Sequence, residues 1–76
     1  MTPATVAALE LLVEELPEAW LGGEVRAALD SGQAERCACA ADLLTEAVAE
    51  AAGAPMFNAA ADTVIAELRR IQGGVR

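Results

Sequence analysis

The chain has no histidine, no lysine and no tyrosine, and only one serine, one phenylalanine and one tryptophan in 76 residues. Each absence removes a piece of chemistry. Without His, Lys or Tyr there is no ordinary general base, no Schiff-base amine and no phenolic acid. Ser31 lies in an Asp30-Ser31-Gly32 turn with no base beside it to activate it. The two cysteines, Cys37 and Cys39, point about 200° apart on a helix, which rules out a mutual bridge or joint chelation. Cys39 shares its face with Glu35 and Asp42, whose charge disfavours a thiolate; as a metal set the three lack the imidazole of a closed zinc site. No Gly-rich phosphate loop is present. No apolar run approaches a membrane span, and Met1–Leu16 carries Glu10, Glu14 and Glu15 in place of the basic start of a signal peptide. The expectation is a cytoplasmic, non-enzymatic protein with no catalytic residue, no cofactor and no metal.

What is present is alanine and acid. The hydrophobic fraction is 55%, but nineteen of those residues are Ala, each of which buries little area. One small domain spanning 1–76 is expected, near the size at which a single core barely suffices, which favours a homo-oligomer or an obligate partner. Twelve acidic residues against five Arg give a net charge of −7. Such a chain repels nucleic acid and anionic membrane and is drawn to basic surfaces. Residues 1–25 hold five Glu and no base, whereas Arg69, Arg70 and Arg76 make the C-terminal end positive.

The pattern predicts an all-α fold, a compact small bundle of about four helices near 3–16, 18–30, 33–52 and 56–72, with 73–76 a flexible tail. Thr2-Pro3 is a helix start, Thr2 as cap and Pro3 in the first turn. Val6, Leu9, Val13 and Leu16 then form an inward stripe with Leu12 beside them, and Leu11 stands apart on the outside. Pro17 ends this helix. Gly22-Gly23 is expected to break the second one, and Trp20 to plug the junction between helices or to anchor in a partner pocket. The longest pattern, Gln33 to Ala52, contains no Gly or Pro. At about 100° per residue, Ala34, Cys37, Ala41, Leu44, Val48 and Ala51 or Ala52 face inward. Glu35, Cys39, Asp42, Glu46 and Glu50 face outward, the last three as a ladder of carboxylates roughly 6 Å apart. Gly53-Ala54-Pro55 separates a final helix with Phe57, Ala60, Ala61, Val64, Leu68 and Ile71 inward, Ile65 at the margin, and Asn58, Asp62 and Arg69 opposite. Ala28 to Gly32 superficially resembles a helix-turn-helix turn, but the would-be reading helix offers Glu35, Cys39 and Asp42 with Arg36 as its sole cation, so direct nucleic-acid binding is not expected.

A run of acid is most simply a solvated face that keeps an alanine-rich chain in solution. The functional expectation is sharper: a small acidic module that occupies a basic, nucleic-acid-binding surface of a protein partner and inhibits or modulates it, through Glu10, Glu14, Asp42, Glu46 and Glu50 with Leu11 and Trp20. Small acidic inhibitors carried by phages act in this way, an analogy that would make this an anti-defence protein working in host cytoplasm. One alternative is a self-assembling helical homo-oligomer joined through Leu11, Trp20 and Leu21. Another is an anion sensor at a subunit interface, using Arg69 and Arg70.

Overall fold

Helix α1, Pro3–Glu15, starts where the Thr2 hydroxyl accepts the Thr5 backbone N–H at 3.2 Å, with Pro3 in the first turn, where a missing N–H costs nothing. A computed structural model describes residues 2–16, 18–51 and 55–74. It adds α2, Ala19–Ser31, α3, Ala34–Ala51, and α4, Pro55–Gln72, with no strand among the described residues. The expected all-α bundle of four helices is therefore the fold. Pro17, Ala52, Gly53, Ala54, Val75 and Arg76 lie outside the described residues, and with them the expected breaks at Pro17 and Gly53-Ala54. Gly73 and Gly74, expected to fray, still donate to Arg69 O at 2.9 Å and Ile71 O at 3.1 Å, closing the end of α4.

α4 packs along both α1 and α3 and touches α2, while α2 bridges α1 and α3; α1 and α3 stand diagonally with no close backbone approach. The radius of gyration is 11.2 Å, against about 11.4 Å for a compact chain of this length. The core is built from Leu9, Leu12, Leu16, Leu21, Val25, Leu29, Leu44, Phe57, Val64 and Leu68, sealed by Ala28, Ala40, Ala41, Ala60 and Ala61. Two shared contacts show α2 and α3 to be an antiparallel hairpin. Near the turn, Arg36 reaches Glu24; at the far end, Trp20 and Leu21 line one cleft with Ala47 and Glu50. Gly32 makes the turn at φ 66°, and Ser31 caps it, its hydroxyl donating to Ala28 O at 2.8 Å.

Three expectations need correction. α1 is rotated from the predicted stripe: Thr5, Leu9, Leu12 and Leu16 are buried, while Val6 and Val13 are 39% and 41% exposed. The four buried positions fall within about 60° of arc, and the two valines about 60–100° off its middle, so the larger leucines enter the core. α3 is also turned slightly, burying Ala40 and leaving Ala34 and Ala51 exposed. Finally, α2 runs unbroken through Gly22-Gly23 because Leu21, Val25, Ala28 and Leu29 bury one continuous face. Gly22 is itself buried and is the place where α1 comes close: a Cβ there would meet Val13 Cγ2 at 3.0 Å and Cγ1 at 3.3 Å. Gly23 faces open space.

The two adjacent glycines should therefore respond differently to the same substitution. Gly23→Ala gains helix propensity without a clash and should stabilise the fold by about 1 kcal/mol, raising the midpoint by about 4–8 °C in thermal unfolding. Gly22→Ala should give back most of that gain through Val13; equal gains at both positions would show that Gly22 is not a close-approach site.

Candidate functional site

The acidic face of α3 stands in solvent as expected: Glu35, Cys39, Asp42, Glu46 and Glu50 are all exposed. The ladder is not straight, however. Steps of four residues advance about 400°, so each carboxylate is turned about 40° from the last. Asp42 thus leans toward α4 and Glu50 toward α2. On the α4 side Arg69 takes up Asp42, Nη2 donating to Oδ1 at 3.0 Å, while its Nη1 donates to Gln72 Oε1 at 2.8 Å. Asp42 is accordingly paired with this chain's own arginine while remaining exposed. Glu35, Glu46 and Glu50 make no ion pair among the described residues.

On the α2 side the turned ladder ends in a cleft of about 350 Å³ between the start of α2 and the end of α3. Leu21, Leu43 and Ala47 supply apolar walls, and Glu18, Trp20 and Glu50 line it with them. Trp20 does not plug a helix junction. It is 57% exposed, and its indole N–H donates to Glu18 Oε2. Two residues singled out from the sequence, Trp20 and Glu50, are thereby brought together, and Glu18, which the sequence reading passed over, joins them. Its signal was available in the Glu18-Ala19-Trp20 spacing, which sets a carboxylate within reach of the indole at the helix start.

The other candidates lie elsewhere. Glu10 and Glu14 are exposed on α1, diagonal to α3, and do not share a surface with Glu46 and Glu50. Leu11 is half-buried rather than isolated on the outside, lining an open groove of about 320 Å³ between α1 and α4 with Ala7, Ala8, Met56, Ala59, Ala60 and Thr63. Leu21, assigned to a subunit contact in the self-assembly alternative, is a core residue. The anion-sensor alternative loses its cations: Arg69 is held by Asp42, and Arg70 makes a two-pronged pair with Glu67, Nε to Oε1 at 3.0 Å and Nη2 to Oε2. Among the described residues no three acidic or cysteine side chains group closely enough to hold a metal ion, and no helix is long and apolar enough to cross a membrane.

Cys37 is a buried small residue whose thiol donates to Ala28 O at 3.2 Å, tying α3 to the end of α2. Burial pushes this thiol above its usual range, and the Glu67 carboxylate adds to the shift against a smaller opposing pull from Arg36. That makes it a poor nucleophile. Glu67 itself is held below the usual carboxylate range, chiefly by its hydrogen bond from Arg70 and despite some desolvation that works the other way. A carboxylate with a lowered folded-state pKa stabilises the fold above its unfolded pKa and loses that contribution as pH falls through the folded value. Glu67→Gln should therefore lower stability slightly at neutral pH and flatten the loss on acidification, read as thermal midpoints from pH 7 to pH 3; parallel curves for the two proteins would exclude the pair as a source of acid sensitivity.

No family model matches the chain, and neither a curated protein nor a solved structure matches it, so the site stands on its own geometry.

Proposed function

We propose that this chain is a non-enzymatic binding module that occupies a basic surface of a protein partner, a surface of the kind that otherwise holds nucleic acid, and so blocks or modulates it. The observation that carries the reading is the meeting of an exposed Trp20 with the unpaired carboxylate Glu50 at the end of an exposed acidic helix face. Exposed Trp is characteristic of interface anchors, and a row of fixed carboxylates supplies steering and register toward a positive surface. A net charge of −7 extends that attraction beyond contact distance at low ionic strength. The binding set differs from the one expected from the sequence: it centres on Glu18, Trp20, Glu46 and Glu50, with Glu35 farther along the face. Asp42 serves the α3–α4 contact through Arg69 instead. The phage-inhibitor analogy fits such a module and gives it a biological setting, an anti-defence role in host cytoplasm.

The test is affinity capture from a host extract followed by a salt gradient. The wild-type chain should retain a protein that elutes as salt rises, and the double reversal Glu46→Lys/Glu50→Lys should lose it, by about tenfold or more in affinity. Asp42→Lys should cost less binding than either reversal alone. Retention indifferent to salt, or equal in the reversed variant, would overturn the mechanism.

The self-assembly reading keeps one specific observation in its favour. Met56 is 71% exposed on the groove between α1 and α4, whose lining carries no charged side chain among the described residues. Two copies of an acidic chain repel each other over most of their surfaces, and this seam is where they would meet without opposed carboxylates. Sedimentation of the wild type at micromolar concentration should then show a dimer that Met56→Glu dissolves. A strict monomer throughout that concentration range removes this reading and leaves the binding module untouched.

A further inference from the structure

We infer that the cleft between the start of α2 and the end of α3 is the seat of one arginine side chain presented by a basic segment of the partner. This rests on the binding-module reading and makes it specific. Among the described residues the lining contains two carboxylates, Glu18 and Glu50, and no cation. Two helix ends meet there, the positive start of α2 and the negative end of α3, each equivalent to roughly half a charge. They cancel to first order, leaving the two whole negative charges to set the sign. The last turn of α3 has no basic residue to offset them. Of this chain's five arginines, Arg36, Arg69 and Arg70 are committed to Glu24, Asp42 and Glu67, Arg26 is not among the residues that line the cleft, and Arg76 lies outside the described residues.

The shape of the cleft selects arginine over a simple cation. The indole N–H of Trp20 is taken by Glu18, and the residue is 57% exposed, so ring surface is open beside the cleft. A guanidinium stacks on an aromatic face and still has N–H donors in its plane for a carboxylate on either side, whereas an ammonium can only point at one group or another. Leu21, Leu43 and Ala47 offer apolar wall for the three methylenes that carry the guanidinium. The occupant belongs to a longer segment rather than a free amino acid, because Glu46 lies one helical turn before Glu50 on the same exposed face. A second basic residue about 6 Å along the segment would reach it.

Trp20 is the only tryptophan and there is no tyrosine, so intrinsic fluorescence reports on this cleft alone. The probes are three peptides, Gly-Lys-Gly-Arg-Gly-Lys-Gly and its versions with lysine or citrulline in place of arginine, titrated at low salt with fluorescence and, for variants lacking Trp20, calorimetry. The arginine peptide should shift the emission saturably and bind about tenfold more tightly than the lysine peptide, with citrulline weaker still. Trp20→Ala, Glu18→Gln and Glu50→Gln should each weaken the arginine peptide several-fold with helical content unchanged. Trp20→Phe should recover part of the loss, and Glu10→Gln/Glu14→Gln should leave binding intact. Equal binding of arginine and lysine peptides, unaffected by Trp20→Ala, would overturn the arginine seat while leaving the acidic module standing. No binding of any peptide, together with salt-independent capture of the partner, would take down both.

Discussion

Everything in this molecule depends on how closely α4 can lie against α3 and α1. Ala40 and Ala41 on α3 and Ala60 and Ala61 on α4 are almost fully buried, giving each helix a seam of small side chains on its packed face. Each alanine contributes little transfer free energy, so the stabilisation comes from near approach and dense packing rather than from area per residue. The leucines then act at the points the seam leaves open: Leu12, Leu44 and Leu68 are wholly buried, with Val25, Val64 and Cys37 between them. A domain of this size is held by only about 4–11 kcal/mol, so truncating one such leucine, at about 2–5 kcal/mol, takes a large share of it. The acidic residues are confined to the outside by the same constraint, because an alanine seam has no room for a carboxylate and nothing in it to pair with one.

This packing also decides which acids act together. By placing α1 and α3 on a diagonal, the bundle separates Glu10 and Glu14 from the α3 face and spreads repulsion that would otherwise accumulate on one side. The α3 ladder is divided in turn by its own winding. Asp42 is carried to α4, where Arg69 meets it, and Glu50 to α2, where no cation does. One repeated spacing thus yields a structural ion pair at one end and an unpaired charge at the other. Exposed pairs such as Asp42–Arg69 add little to stability; the consequence here is that one carboxylate of the ladder is paired within the chain while remaining exposed.

The faces of α3 and α4 were legible in the sequence because polar and apolar positions alternate there with one clear phase. In α1 they were not. Its Leu and Val residues support two overlapping stripes whose middles are about 50° apart, and only the position of α2 and α4 chooses between them. The Gly22-Gly23 pair reads as a break when propensity is considered alone, yet Gly22 is the contact that lets Val13 sit against α2. Arg69 and Asp42 are 27 residues apart, and Glu67, whose pair with Arg70 is local to α4, comes beside Cys37 only once α3 and α4 are docked. Local pattern does not encode such pairs. The cleft was half legible: Trp20 and Glu50 stood out singly, and their meeting follows from the antiparallel hairpin, which sequence spacing suggests without fixing its register.

The outward position of Trp20 follows from that same packing. Leu21, Val25, Ala28 and Leu29 must face the core, and Gly22 must face Val13, so the phase of α2 is fixed from both sides. Position 20 then falls on the flank toward α3, beyond Glu24, wherever the rest of the helix is satisfied. The fold places no demand on what side chain stands there; a polar residue would meet the same packing and spare the cost of leaving a large apolar ring in water. On the function proposed above, a tryptophan at a position the core does not need, held by the carboxylate of Glu18 and set beside Glu50 of the next helix, serves contact with something outside the chain. The physical requirements on that contact are cover for the ring and charge for the acids, and one basic, planar side chain on a partner meets both.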